Sequence, residues 1–280
     1  MTSAKSPGAR PWSALSTTAI SLAAATAVAF TPAAAQTGGA VDRLLAAVAA
    51  YAPPETTLPA RSEIDRRCAE DVVCAAALVA RAFDGRATLE RVTHPDTDTI
   101  RLVKTRPSVR ALGRLADGAV LVALDRFGRK AEPELRAALT GLDGARLVLD
   151  LRANQGGDFE RMLRVAGLFT GPVDDALTLL GSDGRRPRAI PALARIGGVG
   201  ALAVLVGART ASSAEMLAAL LRRHARAEVL GERTFGKDYL VRVIPVHHDW
   251  RLLVPAERVE IPGETLAGGL VPDRPAPASP

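Results

Sequence analysis

Three largely apolar runs limit what this chain can fold into: AVLVAL at 119–124, the RLVLDL run at 146–151 and ALAVLV at 201–206. A strand with one face in water alternates apolar and polar residues. These runs do not, so both of their faces must be covered. Segments with helical spacing lie between and after them, at 132–142, 159–169 and 213–224. Pro133 falls in the first turn of its helix, where a missing N–H is tolerated. A short strand at 228–231 follows the last helix. Buried strands alternating with helices predict an α/β fold whose sheet is covered on both sides. With 280 residues, 48% of them hydrophobic, the chain can fill such a core.

The texture differs ahead of this pattern. Residues 41–51 read as a short amphipathic helix that Pro53 and Pro54 end. Residues 62–83 carry helical spacing through Ile64, Cys68, Val72, Ala75, Leu78, Val79 and Phe83. Residues 86–103 read as short strands and turns, with His94-Pro95-Asp96 as one turn. The N-terminus has the order of a secretory signal peptide: Lys5 and Arg10, a small apolar stretch from 14 to 30, then Ala33-Ala34-Ala35 before Gln36. The expected cleavage point is after Ala35, which predicts a periplasmic or secreted protein. No later stretch is apolar over the roughly 20 residues a spanning helix needs, so no integral membrane span is expected after cleavage.

Export changes how Cys68 and Cys74, the only cysteines, are read. An isolated pair in an oxidising compartment predicts a disulfide, with two buried thiols as the alternative. Residues six apart do not share a face of a straight helix, so the bond needs a turn near Glu70-Asp71. No metal site is expected, for want of further Cys or nearby His. The net charge of +6 comes mainly from arginine. It reads as a compositional bias toward Arg and Ala. No basic run interleaved with aromatics is present, so no nucleic-acid partner is expected.

Two segments carry the chemistry. TASSAE, at 210–215, sets Ser212 at a helix start, and TFGK, at 234–237, supplies Lys237, one of four lysines in the chain. A serine hydroxyl is a weak nucleophile that needs a base. A lysine can be that base when burial lowers its pKa and leaves the amine neutral. The bland readings are complete in themselves. Ser212-x-x-Glu215 is a capping box, and a lone lysine is ordinarily solvated. A nucleophile at a helix start would set its oxyanion near free N–H groups and the positive dipole end. Ser213 is a rival nucleophile, and its N–H is a candidate oxyanion donor. A third segment, LDLRANQGG at 149–157, ends a buried strand in Gly156-Gly157, where main-chain N–H groups can approach a substrate carbonyl.

LVLDLRANQGG, TASSAE, VLGERTFGK and LAGGLVPD (266–273) occur in that order. Together they resemble the carboxyl-terminal processing (tail-specific) peptidases, serine peptidase family 41. The resemblance spans roughly 118–273. It implies a ClpP/crotonase-like core of stacked β-β-α units with a small N-terminal helical region. It also implies Ser212 as nucleophile and Lys237 as base, oxyanion donors at Gly156 or Gly157 and at Ser213, protein or peptide substrates, and no cofactor. The expected organisation is a signal peptide at 1–35, an N-terminal helical cap region at 36–115, the serine peptidase core at 116–273 and a disordered tail at 274–280. Homo-oligomerisation stays open.

The sequence departs from the family pattern in two ways. Val241 stands where many members carry a glutamine that orients the lysine, and Asp238 replaces a usual glycine, where it could pair with Lys237 and keep it charged. The stretch 84–115 is also too short for the PDZ domain that usually precedes the core. These departures motivate an alternative, a catalytically weak relative that binds peptides or a partner. His224 and His247-His248-Asp249 leave a Ser–His–Asp triad open. Arg222, Arg223 and Arg226 read as a solvated helix face.

Overall fold

A computed structural model describes residues 39–92, 106–142, 144–196 and 199–275. The signal-peptide reading at 1–35 and the turn at His94-Pro95-Asp96 lie outside these residues. The N-terminal region is three helices, α1 (Ala40–Ala49), α2 (Arg61–Cys68) and α3 (Val72–Arg81). The strand β1 (Thr88–Arg91) follows them. The periodic run at 62–83 is two helices rather than one. Ala69 leaves α2 at φ 48°, and the Asp71 carboxylate caps α3, accepting from the Val73 and Cys74 amides at 2.9 and 3.0 Å. The break lets Cys68 and Cys74 form a disulfide across a Cα separation of 5.4 Å. The Cys68 side is buried in the same apolar cluster as Val41, Val48, Ile64, Val79 and Phe83.

The α/β core begins with β2 (Val109–Arg114), β3 (Val120–Leu124), α4 (Ala131–Leu139), β4 (Arg146–Asp150) and α5 (Phe159–Thr170). A hairpin of β5 (Val173–Gly181) and β6 (Gly184–Ile190) comes next. After it run β7 (Ala201–Val206), α6 (Ser213–Ala225), β8 (Glu228–Gly231) and a second hairpin, β9 (Tyr239–His247) and β10 (Trp250–Glu260). One sheet has the order β2-β3-β4-β7-β8, parallel except for the antiparallel edge strand β2. The edge strand β2 therefore belongs to the core sheet although it precedes residue 116. The second sheet is antiparallel and built around the long β10, which pairs with β1, β5 and β9.

The apolar runs form β3, β4 and β7, and their side chains join α4, α5 and α6 in one core. Helix α6 is the most enclosed element, since every residue from Ser213 to Leu221 is buried. A helix apolar all round must sit inside the molecule. The N-terminal helices pack on the β9–β10 hairpin through Ile244, Leu252 and Val254. Arg222 is not a solvated residue: it pairs with Glu264 and Asp273 and ties α6 to the segment after β10. Arg274 is likewise held, its carbonyl accepting from the Gly231 amide at 3.0 Å, so the tail expected to begin there is ordered at its first residue.

Candidate active site

The site forms where three loops leave the parallel sheet. The first follows β4. Asn154 is fully buried and stitches the loops together. Its Nδ2 donates to the Leu124 carbonyl at 2.9 Å, its Oδ1 accepts from the Gly156 amide at 2.8 Å, and its carbonyl accepts from the Ala211 amide at 3.2 Å. A buried side-chain amide left unpaired would be costly, so these bonds fix the turn. Gly156 lies at φ +100°. A Cβ there would come within 2.8 Å of the Ala211 carbonyl, 3.0 Å of Ser212 Cβ and 3.2 Å of the Ser213 amide nitrogen. The turn therefore lies directly against the start of α6.

The second loop joins β7 to α6. Thr210 anchors it, donating through Oγ1 to the Leu151 carbonyl at 2.9 Å and accepting from the Gly207 amide at 3.0 Å. Ser212 then adopts φ 55° and ψ −126°. A non-glycine residue held there carries backbone strain of about 1–3 kcal/mol and persists only where its surroundings over-determine it. The two candidate hydroxyls differ. Ser213 is buried and its Oγ donates to the Gly157 carbonyl at 3.0 Å. The Glu215 amide bonds the Ser212 carbonyl at 2.8 Å.

The third loop runs from β8 to β9 and carries Lys237. It is tied to the second by Glu215, whose side chain is fully buried. Glu215 Oε2 accepts from the Ser212 amide at 2.7 Å and from the Lys237 amide at 2.8 Å. Oε1 accepts from the Gly236 amide at 2.6 Å and from the Thr234 hydroxyl. One carboxylate thus takes four donors and joins the backbone of Ser212 to the backbone of Lys237. Its place in the first turn of α6 also suits a negative charge. Thr234 Oγ1 accepts in turn from the Leu270 amide at 2.7 Å. Gly236 rests on Gly268-Gly269, where a Cβ would meet the Gly269 amide nitrogen at 2.6 Å.

Burial holds the Lys237 amine below the ordinary lysine pKa, and the Glu215 charge pulls part of the way back. The carboxylate acting on Lys237 is Glu215. Asp238 makes no ion pair with it among the described residues, and the Asp238 carbonyl accepts from the Val259 amide at 2.7 Å. Among the described residues Nζ makes no hydrogen bond, and it lies 5.4 Å from the centroid of the Tyr239 ring.

The histidines fall elsewhere. His224 is at the far end of α6, about 18 Å from Ser212 at 1.5 Å per residue. His247 closes β9, roughly 25 Å along the strand from Tyr239. His248 and Asp249 form the turn beyond it, where Asp249 pairs with Arg91. No group of three or more His, Cys, Asp or Glu among the described residues is arranged to hold a metal ion. Sequence reasoning missed the bridging role of Glu215, and with it Asn154, Thr210 and Thr234. The available signal was that each motif carries a small polar residue beside its apolar neighbours.

The description Peptidase family S41 matches residues 119–275, more than half of the chain. The chain is 30% identical over 203 residues to carboxyl-terminal-processing peptidase 2, chloroplastic, of Arabidopsis thaliana, covering 66% of this chain and 39% of that one. It is 30% identical over 216 residues to a carboxyl-terminal-processing protease of Picosynechococcus sp., covering 71% and 51%. The chain thus spans roughly two-fifths to a half of the length of these relatives. Among solved structures, a photosystem II D1 C-terminal processing protease superimposes with a TM-score of 0.50 at 26% identity, over 68% of this chain and 48% of that one. A lipoprotein from Streptococcus agalactiae shares the fold, with a TM-score of 0.65 at 16% identity over 86% and 93%.

Proposed function

From the premise that the chain belongs to peptidase family S41, we propose that it is an exported serine endopeptidase working by a Ser212–Lys237 dyad on protein or peptide substrates. The observation that carries this reading is the Glu215 carboxylate, which holds the backbones of both residues on one oxygen. The lowered pKa of the half-buried Lys237 supports it, because a base must be neutral to act.

In the proposed reaction, the neutral Lys237 amine takes the proton of Ser212 Oγ as that oxygen attacks the scissile carbonyl. The Gly156 amide is already bonded to Asn154, so the amides of Gly157 and Ser213 are the proposed donors to the tetrahedral oxyanion. The C–N bond then breaks, and the leaving amine takes the proton from the Lys237 ammonium. A water, deprotonated by Lys237, attacks the acyl-enzyme. The second tetrahedral intermediate collapses to the free acid and regenerates Ser212. The reading includes removal of residues 1–35 on export. The Cys68–Cys74 disulfide supports an oxidising compartment.

The test is cleavage of casein by the purified mature protein beside Ser212→Ala and Lys237→Ala. Both variants should fall to background, a loss of several orders of magnitude. Equal cleavage in all three samples rejects the dyad. Because burial depresses the Lys237 pKa, the rate should rise with pH as the amine loses its proton, with a midpoint below the ordinary lysine value. A profile flat from acid to alkaline pH counts against a lysine base.

A further inference from the structure

The Lys237 amine is half-buried, yet among the described residues it has no hydrogen-bond or ion-pair partner. Its recorded neighbour is an aromatic face, with Nζ 5.4 Å from the centroid of the Tyr239 ring. The two residues are two apart, just where the chain enters β9. The ring is itself held. Tyr239 is half-buried and pairs with Arg258 of β10. Its hydroxyl donates to the Arg86 carbonyl at 3.3 Å. Arg86 sits in the turn after α3, where its amide donates to the Phe83 carbonyl at 2.9 Å. Phe83 is fully buried in the core of the N-terminal helices.

We propose that Tyr239 is the positioning residue for Lys237: its ring face is the platform that sets where the amine sits. The proposal rests on the reading of Lys237 as the base. A long flexible lysine stem with no hydrogen-bonded end has many rotamers open to it. A ring face under the amine narrows them, by the quadrupole when the amine is charged and by dispersion when it is neutral. The charge acting on the amine is Glu215 from α6, and the Tyr239 hydroxyl feels Arg86 from the turn after α3 and Asp238 from its own segment. None of these charges gives Nζ a directional contact.

The experiment reads the amine directly. Acetylation by a limiting amount of acetic anhydride, followed against pH by mass spectrometry, reports the protonation midpoint of Lys237, with the exposed Lys130 of the same chain as reference. It is run on the full mature protein, on Tyr239→Phe, and on the ring-less Tyr239→Leu and Tyr239→Met. Tyr239→Phe keeps the ring and should keep the wild-type midpoint. The ring-less variants lose the contact that favours the charged amine. Their midpoint should fall by about half to one pH unit, the size of a single cation–π contact. Casein cleavage at pH values above the midpoint should fall about tenfold in the ring-less variants and stay near wild type in Tyr239→Phe. Two ring-less variants are included so that a folding failure in one leaves the other to decide. A ring-less variant that folds and keeps the wild-type midpoint and alkaline rate overturns the proposal, as does a Tyr239→Phe protein that behaves like Tyr239→Leu. Lys237→Ala tests the base separately: its loss of cleavage stands or falls whatever the acetylation midpoints show.

Discussion

The start of α6 and the N-terminal helices are held together by opposite means. At the start of α6 one buried carboxylate takes four donors, a buried asparagine ties two loops, and Ser212 is kept at φ 55°. Few atoms carry many constraints, and each has no substitute. The N-terminal helices are held by apolar burial around Val41, Ile64 and Phe83, by one disulfide, and by Arg61 shared among Asp42, Asp65 and Glu70. Many contacts carry little each there, and the loss of one is absorbed by the rest. The contrast separates precision from cohesion. A site that must fix two reacting groups tolerates no slack, whereas a scaffold needs only to stay folded.

Substitutions should rank accordingly. Gly156→Ala sets a Cβ 2.8 Å from the Ala211 carbonyl at a backbone φ of +100°. Casein cleavage should fall by on the order of a hundredfold or more, because the Gly156-Gly157 turn and the Ser212 loop cannot both keep their places. Glu215→Gln comes next. In either orientation the new amide group faces at least one N–H that the carboxylate now accepts, which should cost about 3 kcal/mol in urea unfolding along with most of the cleavage. The Cys68→Ser/Cys74→Ser protein should lose about 2 kcal/mol from the release of a short loop, seen as a Tm lower by about 6 °C, with cleavage at 25 °C close to wild type. Arg61→Ala should show the smallest change of all, and salt should shrink it further, because its partners are exposed. If the cysteine variant lost cleavage as steeply as Glu215→Gln, the two regions would not be separable. If Glu215→Gln kept both stability and rate, the carboxylate would not be the tie.

Much of the core was legible because β3, β4 and β7 are covered on both faces, which leaves apolar runs that admit no other reading. The break between α2 and α3 was harder to see, since Val72, Ala75 and Val79 continue the spacing of Ile64 and Cys68 across it. The cue was Asp71, an N-cap residue standing just before Val72. The β5–β6 hairpin was missed because β6 is an edge strand of exposed arginines, and its sign was the Ser182-Asp183 turn before Gly184. Ser212 and Lys237 stood out as motif residues. Glu215 looked complete as a helix cap, because the amides that fill its other lone pairs come from Gly236 and Lys237, some twenty residues later in the chain.

The glycine pair at 268–269 sets a condition on time as well as space. The loop bearing Lys237 has its back against that pair, and Thr234 is bonded to Leu270. A polypeptide leaves the ribosome or an export channel N-terminus first. The parallel sheet, Ser212 and Lys237 all emerge before the backing for the lysine loop exists. Until about residue 270 is free to fold, the loop lacks its backing on the glycine side. A nascent chain therefore holds Ser212 and Lys237 through Glu215 before the glycine backing of the lysine loop is in place. Truncation within 266–275 should loosen the loop bearing Lys237, for which the segment after β10 acts as a latch.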